Sequence, residues 1–165
     1  MRRKDKSSTD SESLLREAPV CRLGFSGEGT PGHPGESASG SFPYVVPLHF
    51  AWDGEVLYLH CALEGEKLRR LCRDERVCVE IDELGGVIPG SRPCGFSSRY
   101  RSLIAFGRAQ LVQDEAEKRR ALTALTVKYA GPDFAEWEFE ARALEGVAVL
   151  RVRLEQVSVK QSGMG

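Results

Sequence analysis

The sequence has no long hydrophobic run and no excess of charge of either sign. Its 165 residues carry 23 lysines and arginines against 24 aspartates and glutamates, a formal net charge of −1. A protein that holds a nucleic-acid backbone by counterion release needs a basic surface, so nucleic acid is not an expected partner. No apolar stretch approaches the roughly 20 residues of a membrane-spanning helix, and no membrane association is expected. The basic start is not followed by the apolar segment of a secretory signal, which favours a cytoplasmic location.

The cysteines lack the spacing of a metal site or a disulfide framework. There are five, an odd number, and no two of them form a C-x-x-C pair. Zinc knuckles and disulfide-rich folds both need such regular spacing. The sequence therefore predicts reduced, mostly buried thiols at Cys21, Cys61, Cys72, Cys78 and Cys94.

The composition is that of one folded domain. Hydrophobic residues make up 41% and charged residues 28% of the chain, which is ordinary for globular proteins. Residues 1–8 and 161–165 are interpreted as polar tails around a single domain over residues 9–160. Residues 26–41 are rich in glycine, proline and serine, a composition that predicts a flexible loop.

The loop contains a literal G-x-G-x-x-G from Gly27 to Gly32. In dinucleotide-binding proteins these glycines open a helix whose N-terminus holds the pyrophosphate. Here the segment His33-Pro34-Gly35 follows, which does not begin a helix. We interpret the pattern as a chance match in a glycine-rich segment.

Hydrophobic periodicity predicts about six antiparallel strands and three or four helices, an α+β fold centred on a small β-barrel. Helices are expected from Thr9 to before Pro19, over 66–73, and from a cap at Asp114 to Gly131. Strands are expected over residues 20–25, 42–52, 55–61, 76–84, 100–112 and 147–159. A type I′ turn at Asp53-Gly54, a loop at 85–90 and a bulge at Val149-Leu150 are also expected.

Two short segments have the residue types of an anion site. His60 ends a predicted strand, and a link through Gly65 leads into a helix with Lys67 in its first turn, where backbone N–H groups and an ammonium favour phosphate. Arg101 and Ser102 begin a later strand and could complete such a site. The alternatives are a solvated lysine and arginines paired with nearby acids.

Pro47 has no N–H to donate, so its strand is expected at a sheet edge or where the ladder opens toward a ligand. A series of segments follows in order along the chain: Pro43-Tyr-Val-Val-Pro47-Leu-His-Phe50, the Asp53-Gly54 turn, Tyr58-Leu-His60, Gly65-Glu-Lys67-Leu, Arg76-Val-Cys78-Val-Glu-Ile-Asp82, Gly86-Val-Ile-Pro89-Gly90 and Tyr100-Arg-Ser102-Leu-Ile-Ala-Phe-Gly107. In this order, the segments resemble the pyridoxamine 5′-phosphate oxidase-like superfamily of FMN-binding split β-barrels, and in particular its nitroimidazole-resistance branch.

The resemblance implies a homodimer with two FMN sites at the interface, each built from both chains. It implies that Lys67 holds the phosphate with support from Arg101 and Ser102, and that His60 is a catalytic residue beside the flavin or substrate. The isoalloxazine edge would lie along Val46, Pro47, Leu48 and His49.

The implied function is an FMN-dependent oxidoreductase that reduces a small electron-poor molecule such as a nitroimidazole. His49 stands where this branch has an asparagine, and no tryptophan lies near Arg151-Val-Arg153, which argues against true pyridoxamine-phosphate oxidase activity. The alternatives are a haem protein with His49 or His60 as axial ligand, a protein that uses F420 or FAD, and a dimer without a cofactor.

Overall fold

The fold is one antiparallel sheet with helices packed against it. The computed structural model describes residues 8–27 and 42–163. The helices are α1 (Ser8–Glu17), α2 (Glu66–Leu71), α3 (Glu115–Ala130) and α4 (Ala141–Glu145), with short 3-10 helices at Pro93–Gly95 and Pro132–Phe134. The strands are β1 (Cys21–Phe25), β2 (Tyr44–Leu48), β3 (Phe50–Trp52), β4 (Val56–Cys61), β5 (Arg76–Ile88), β6 (Ser97–Leu111) and β7 (Ala148–Ser162). The predicted α+β split β-barrel is confirmed, with seven strands in the described ranges.

The sheet curls because a single residue joins its two edges. The strand order is β2-β1-β5-β6-β7-β4-β3, so β2 and β3 lie at opposite edges. Only His49 separates the end of β2 from the start of β3, and consecutive Cα atoms are about 3.8 Å apart. The two edges must therefore meet at His49, which we call the seam of the barrel.

The seam corrects one sequence expectation and confirms another. A single strand over 42–52, paired with the strand after Asp53-Gly54, was the wrong prediction, because β2 pairs with β1 and only β3 pairs with β4. The edge position predicted for the strand of Pro47 is confirmed. A strand that changes sheet edges looks continuous in sequence, since hydrophobic alternation does not record the pairing partner.

The barrel interior is filled by alternate residues of the strands. Phe50, Leu57, Leu59, Val79, Ile81, Leu103 and Leu150 are among its fully buried side chains. Leu14 and Leu15 of α1 join the same cluster, so α1 packs against the barrel core.

A second cluster lies outside the barrel, where α3 and α4 cover β4 and β7. Val149 packs there with Leu122 and Leu125, while its neighbour Leu150 faces the interior. The bulge predicted at Val149-Leu150 is wrong: the pairing of β4 with β7 runs through both residues without a shift. Both side chains are buried because both faces of the sheet are covered. The register shift of β7 lies against β6, between Phe106 and Gly107.

Two predicted turns also differ. Residues 85–88 belong to β5 rather than to a loop, because a register shift between Leu84 and Gly86, with Gly86 at φ +106°, lets the strand continue. The β3–β4 hairpin is present, but its turn is not type I′, which needs positive φ at both central residues. Only Gly54 has positive φ, and the Asp53 carboxylate accepts bonds from the backbone N–H groups of Glu55 and Val56, both at 2.9 Å.

Three further sequence expectations concern the cysteines, the glycine-rich loop and membrane-spanning helices. All five cysteines are free, but only Cys21 and Cys61 are buried, so the expectation of mostly buried thiols is wrong. Most of the 26–41 loop, and with it the G-x-G-x-x-G, lies outside the described residues. Across the two described ranges, no helix combines the length and hydropathy that crossing a membrane would require.

Candidate functional site

A cavity of about 330 Å³ opens at the seam. This size lies at the lower end of the roughly 300–1,000 Å³ typical of ligand pockets. Pro47 and Leu48 at the end of β2 line it together with His49 at the seam, and His60 lines it from β4. The lining residues are Val20, Pro47, Leu48, His49 and His60.

The free edge of β2 forms one side of the site. β2 pairs with β1 alone, and its terminal position leaves its other backbone edge without a neighbouring strand in the described sheet. The side chain of Val46 packs against the barrel core, so Val46 can offer a ligand its backbone only. Pro47 is exposed and borders the cavity. A planar ligand placed along this edge would meet backbone polar groups and the proline ring.

His49 is held at the seam by an aromatic contact. Its imidazole stacks on the ring of Tyr129, with centroids 4.3 Å apart and an interplanar angle of 25°. The Tyr129 hydroxyl accepts a hydrogen bond of 2.9 Å from the backbone N–H of Phe50 and donates one of 2.8 Å to the carbonyl of Pro19. The last turn of α3 is thus attached to the backbone on both sides of the cavity.

The surroundings of His60 favour the neutral form of its imidazole. Although part of its side chain is exposed, enclosure by the protein lowers the pKa of His60 below its usual value, and the nearby charge of His49 adds to this effect. A neutral imidazole has one nitrogen that donates and one that accepts a hydrogen bond. At neutral pH, His60 can therefore donate to or accept from a ligand in the cavity.

Lys67 follows His60 along the chain through Gly65, which adopts φ +126° just before α2 begins. Burial raises the pKa of the Cys61 thiol, and the charge of Lys67 opposes that rise. The charge of Lys67 therefore lies near Cys61, at the end of β4. Lys67 itself does not line the seam cavity, and its phosphate role remains a prediction.

Arg101 and Ser102 do not line the seam cavity. The Arg101 guanidinium pairs with Glu83 at 2.6 Å and Glu17 at 3.0 Å, and it donates to the Ser13 hydroxyl at 2.7 Å. These bonds tie α1 to β5 and β6. Ser102 lies in the same strand, opposite residues of β5 and β7. The phosphate role of both residues remains a prediction, since the predicted site is built from two chains.

Sequence reasoning missed the place of Tyr129 at the site. Tyr129 and Phe50 are 79 positions apart, so no local pattern links them. It also missed Lys128, whose ammonium lies 3.5 Å from the centroid of the Phe50 ring. The Lys128 Nζ is buried and has no hydrogen-bond partner in the described part of the chain, and burial lowers the pKa of Lys128 to about 8.

Lys128→Met is expected to stabilise the protein by about 1–2 kcal/mol at pH 7, because burying an unpaired ammonium costs more than its contact with the Phe50 ring returns. The pKa of Lys128 is about 8 in the folded chain and 10.5 without burial. Between these values the unfolded chain binds more protons, so the stability of the unsubstituted protein rises with pH. The advantage of the variant should therefore be complete below pH 8, decrease as the pH rises and be lost above about pH 10.5.

Urea unfolding at pH 7 and pH 10 measures this difference. Lys118→Met, in the same helix, serves as the control and should change stability by less than about 0.5 kcal/mol at either pH. If Lys128→Met gains the same stability at both pH values, the lysine is not titrating in this range.

The fold is that of a split β-barrel with a cavity at its seam. The family described as pyridoxamine 5′-phosphate oxidase matches residues 7–161, and the chain belongs to that family. The superfamily suggested by the sequence is thereby confirmed, and the first of the similar structures described below matches the suggested branch. No curated protein matches the chain.

Several solved structures are similar over almost the whole chain. A candidate 5-nitroimidazole antibiotic resistance protein from Bacteroides thetaiotaomicron is 27% identical with a TM-score of 0.75, covering 94% of this chain and 84% of that one. The FAD and haem binding protein from Mycobacterium smegmatis is 24% identical, with a TM-score of 0.81 and coverage of 98% and 74%. The flavocytochrome Anf3 from Azotobacter vinelandii is 22% identical, with a TM-score of 0.76 and coverage of 94% and 67%. At such identities the last two show a shared fold.

Proposed function

We propose that this chain is a flavin-dependent oxidoreductase that binds FMN at the seam cavity and reduces a small electron-poor molecule such as a nitroimidazole. The observation that carries the proposal is the cavity itself, which gathers Pro47, Leu48, His49 and His60 beside the free edge of β2. Membership of the pyridoxamine 5′-phosphate oxidase family supports it, as does the similarity to the nitroimidazole resistance protein.

The residues of the cavity suit the isoalloxazine half of a flavin phosphate, and Lys67 of α2 is the proposed ligand of the phosphate half. The β2 edge offers backbone groups to the polar rim of an isoalloxazine ring, and Pro47 and Leu48 offer apolar contact to its face. Lys67, next to the end of β4, would bind the phosphate as a mobile charge. The neutral His60 would hydrogen-bond to the ring or the substrate. The flavin supplies the electron transfer when bound, and the protein supplies position and a protected site.

A homodimer is part of the proposal, with Arg101 and Ser102 supplied to the phosphate across the interface. The outer sheet face exposes large apolar side chains, including Val45 at 60% and Phe106 at 54%. The tip of the β5–β6 hairpin exposes more of them, namely Leu84, Val87 and Phe96. Large exposed apolar patches mark interaction sites in many proteins. A second copy would cover it and add walls to a cavity that five residues line in one chain.

Lys67→Ala is expected to weaken FMN binding by about 10- to 100-fold, the effect of losing one charged hydrogen bond to a phosphate. Quenching of flavin fluorescence during titration gives the affinity, and light scattering on the same sample gives the mass of the assembly. Riboflavin, which lacks the phosphate, should bind the variant and the unsubstituted protein equally. Arg69→Ala removes another charge from α2 and should leave FMN affinity within about threefold.

Equal losses for FMN and riboflavin would place Lys67 away from the phosphate, and no binding of either flavin would overturn the proposed function. Reduced holoprotein mixed anaerobically with a nitroimidazole should regain the absorption of oxidised flavin.

A haem protein is the second candidate, because two imidazoles border one cavity and histidine is a common haem ligand. A Soret band after addition of haem, absent from His49→Gln or His60→Gln, would identify it.

A further inference from the structure

We propose that Tyr129 is a positioning residue that holds the His49 imidazole at the wall of the seam cavity. It does so in two ways: its ring stacks on the imidazole, and its hydroxyl bonds to Phe50 and Pro19. Phe50 follows His49 in the chain, and Pro19 precedes Val20, another residue of the cavity wall. Tyr129 therefore contacts the backbone beside two lining residues as well as one lining side chain.

His49 needs such support because no strand includes it. It lies between β2 and β3, outside the ladders of both, and a side chain at such a junction has several rotamers of similar energy. Stacking on a fixed ring selects among them. The face of the imidazole opposite Tyr129 and the two ring nitrogens then keep one orientation toward the cavity.

Tyr129 is itself on a rigid support. It belongs to the last turn of α3, whose first turn is capped by the Asp114 carboxylate, which accepts a bond of 2.7 Å from the Glu117 N–H. Leu122 and Leu125 bury the inner side of the helix against the sheet. The Tyr129 side chain is 39% exposed, so filling the core does not account for its position. The contacts that it makes are those with the seam.

The inference is tested by side-chain NMR of the histidines in protein without added cofactor. Tyr129→Leu removes both the stack and the hydroxyl, and Tyr129→Phe removes the hydroxyl alone. We expect the His49 ring resonances to lose their ring-current shift in Tyr129→Leu and to keep most of it in Tyr129→Phe. The His60 resonances should move little in either variant. Tyr58→Phe, which removes a hydroxyl bonded to Glu117 at 3.2 Å, is the matched control.

Unchanged His49 resonances in Tyr129→Leu, or equal changes in the Tyr58 control, would overturn the inference. Should Tyr129→Leu fail to fold, Tyr129→Phe tests the backbone contact by hydrogen exchange. The Phe50 amide should exchange at least fivefold faster in Tyr129→Phe, because its acceptor is gone. An unchanged exchange rate would also overturn the inference.

The functional consequence rests on the proposed flavin site and has its own measurement. FMN affinity should fall about tenfold in Tyr129→Leu and less than threefold in Tyr129→Phe, since the stack is retained in the second. If the wild-type protein binds no flavin but the His49 resonances change as expected, the proposed function is wrong and the positioning role is supported. Full FMN affinity in a Tyr129→Leu variant with a mobile His49 would show that His49 does not serve the flavin, and would overturn this part of the inference.

Discussion

Gly107→Ala is expected to destabilise the protein by about 3 kcal/mol or more. Gly107 lies in β6 at the register shift against β7. A Cβ atom at this position would be 2.1 Å from the carbonyl oxygen of Arg153 and 3.2 Å from the Cα of Leu154. Both obstacles are backbone atoms, so no side-chain rotation relieves the clash, and the two central strands of the barrel would have to separate.

Gly24→Ala provides a matched control in a neighbouring part of the same sheet. Its added Cβ would be 3.5 Å from the nearest atom, the carbonyl oxygen of Cys78, which is ordinary van der Waals contact. We expect a change of less than about 1 kcal/mol there. Urea unfolding followed by circular dichroism measures both variants. Similar losses in the two would mean that β-strand glycine in general, rather than the close approach at Gly107, governs stability.

The elements that the sequence predicted well are those with local signals. Helix α3 begins after Asp114 and ends before Gly131, as its capping residues indicate, because an N-cap and a helix-ending glycine act within one turn of the chain. The edge position of β2 followed from Pro47 for a similar reason, since a missing N–H excludes a central position whatever the partner strand is.

What the sequence could not provide is the closure of the sheet. Nothing local distinguishes His49 from the residues around it, and the chain from Tyr44 to Trp52 reads as one strand. The break arises because the sheet has seven strands and must bring its two edges together, a property of all the pairings at once. The contact of Tyr129 with His49 depends on that closure and was invisible for the same reason.

The sequence also led to the wrong expectation of strand register in two places. Alternation at Val149 and Leu150 suggested a bulge, but both side chains are buried because helices cover the second face there. The shift near Gly107 left no mark on the hydrophobic pattern of β6. Sequence patterns report burial, and burial has more than one cause when a sheet is covered on both sides.

For the site, the resemblance brought Pro47, Leu48, His49 and His60 to one place, and the structure gathers these four around one cavity. Arg101 shows the limit of residue-type reasoning. An arginine beside serine at a strand start is suited to phosphate, but its partners in one chain are carboxylates of β5 and α1. Which partner an arginine meets depends on tertiary packing that spacing does not reveal.

Arg70→Met is expected to destabilise the protein by about 3–4 kcal/mol. The Arg70 side chain is only 4% exposed and pairs with the Glu66 carboxylate. Its guanidinium also donates to the carbonyl oxygens of Ser26 and Phe42, each at 2.9 Å. Methionine keeps the length of the stem but removes one of the two arginines that pair with the Glu66 carboxylate, and it removes this donor from both carbonyls. Removing one partner of a buried ion pair has a cost of this size.

Arg69→Met separates the role of burial from that of charge. Arg69 pairs with the same Glu66 carboxylate from the neighbouring position, but its side chain is 53% exposed. An exposed pair contributes about 0–1 kcal/mol, so this variant should change stability little. Urea unfolding of both variants at neutral pH gives the comparison, and equal losses would mean that the shared pairing with Glu66, rather than the carbonyl bonds, stabilises this region.

The position of Arg70 makes the result relevant to the site as well. Ser26 follows the end of β1, and Phe42 precedes the start of β2. The Arg70 guanidinium therefore connects α2 to both of these positions. Arg70 also lies over the ring of Tyr44, 5.2 Å from its centroid, at the first residue of β2. Because Lys67 is in the same helix and Pro47 in the same strand, loosening Arg70 should disturb both halves of the proposed flavin site together. Hydrogen exchange in Arg70→Met should therefore become faster across β2 and α2. It should remain unchanged in α3, because that helix has its own cap and core. An increase spread evenly over the chain would instead indicate global destabilisation alone.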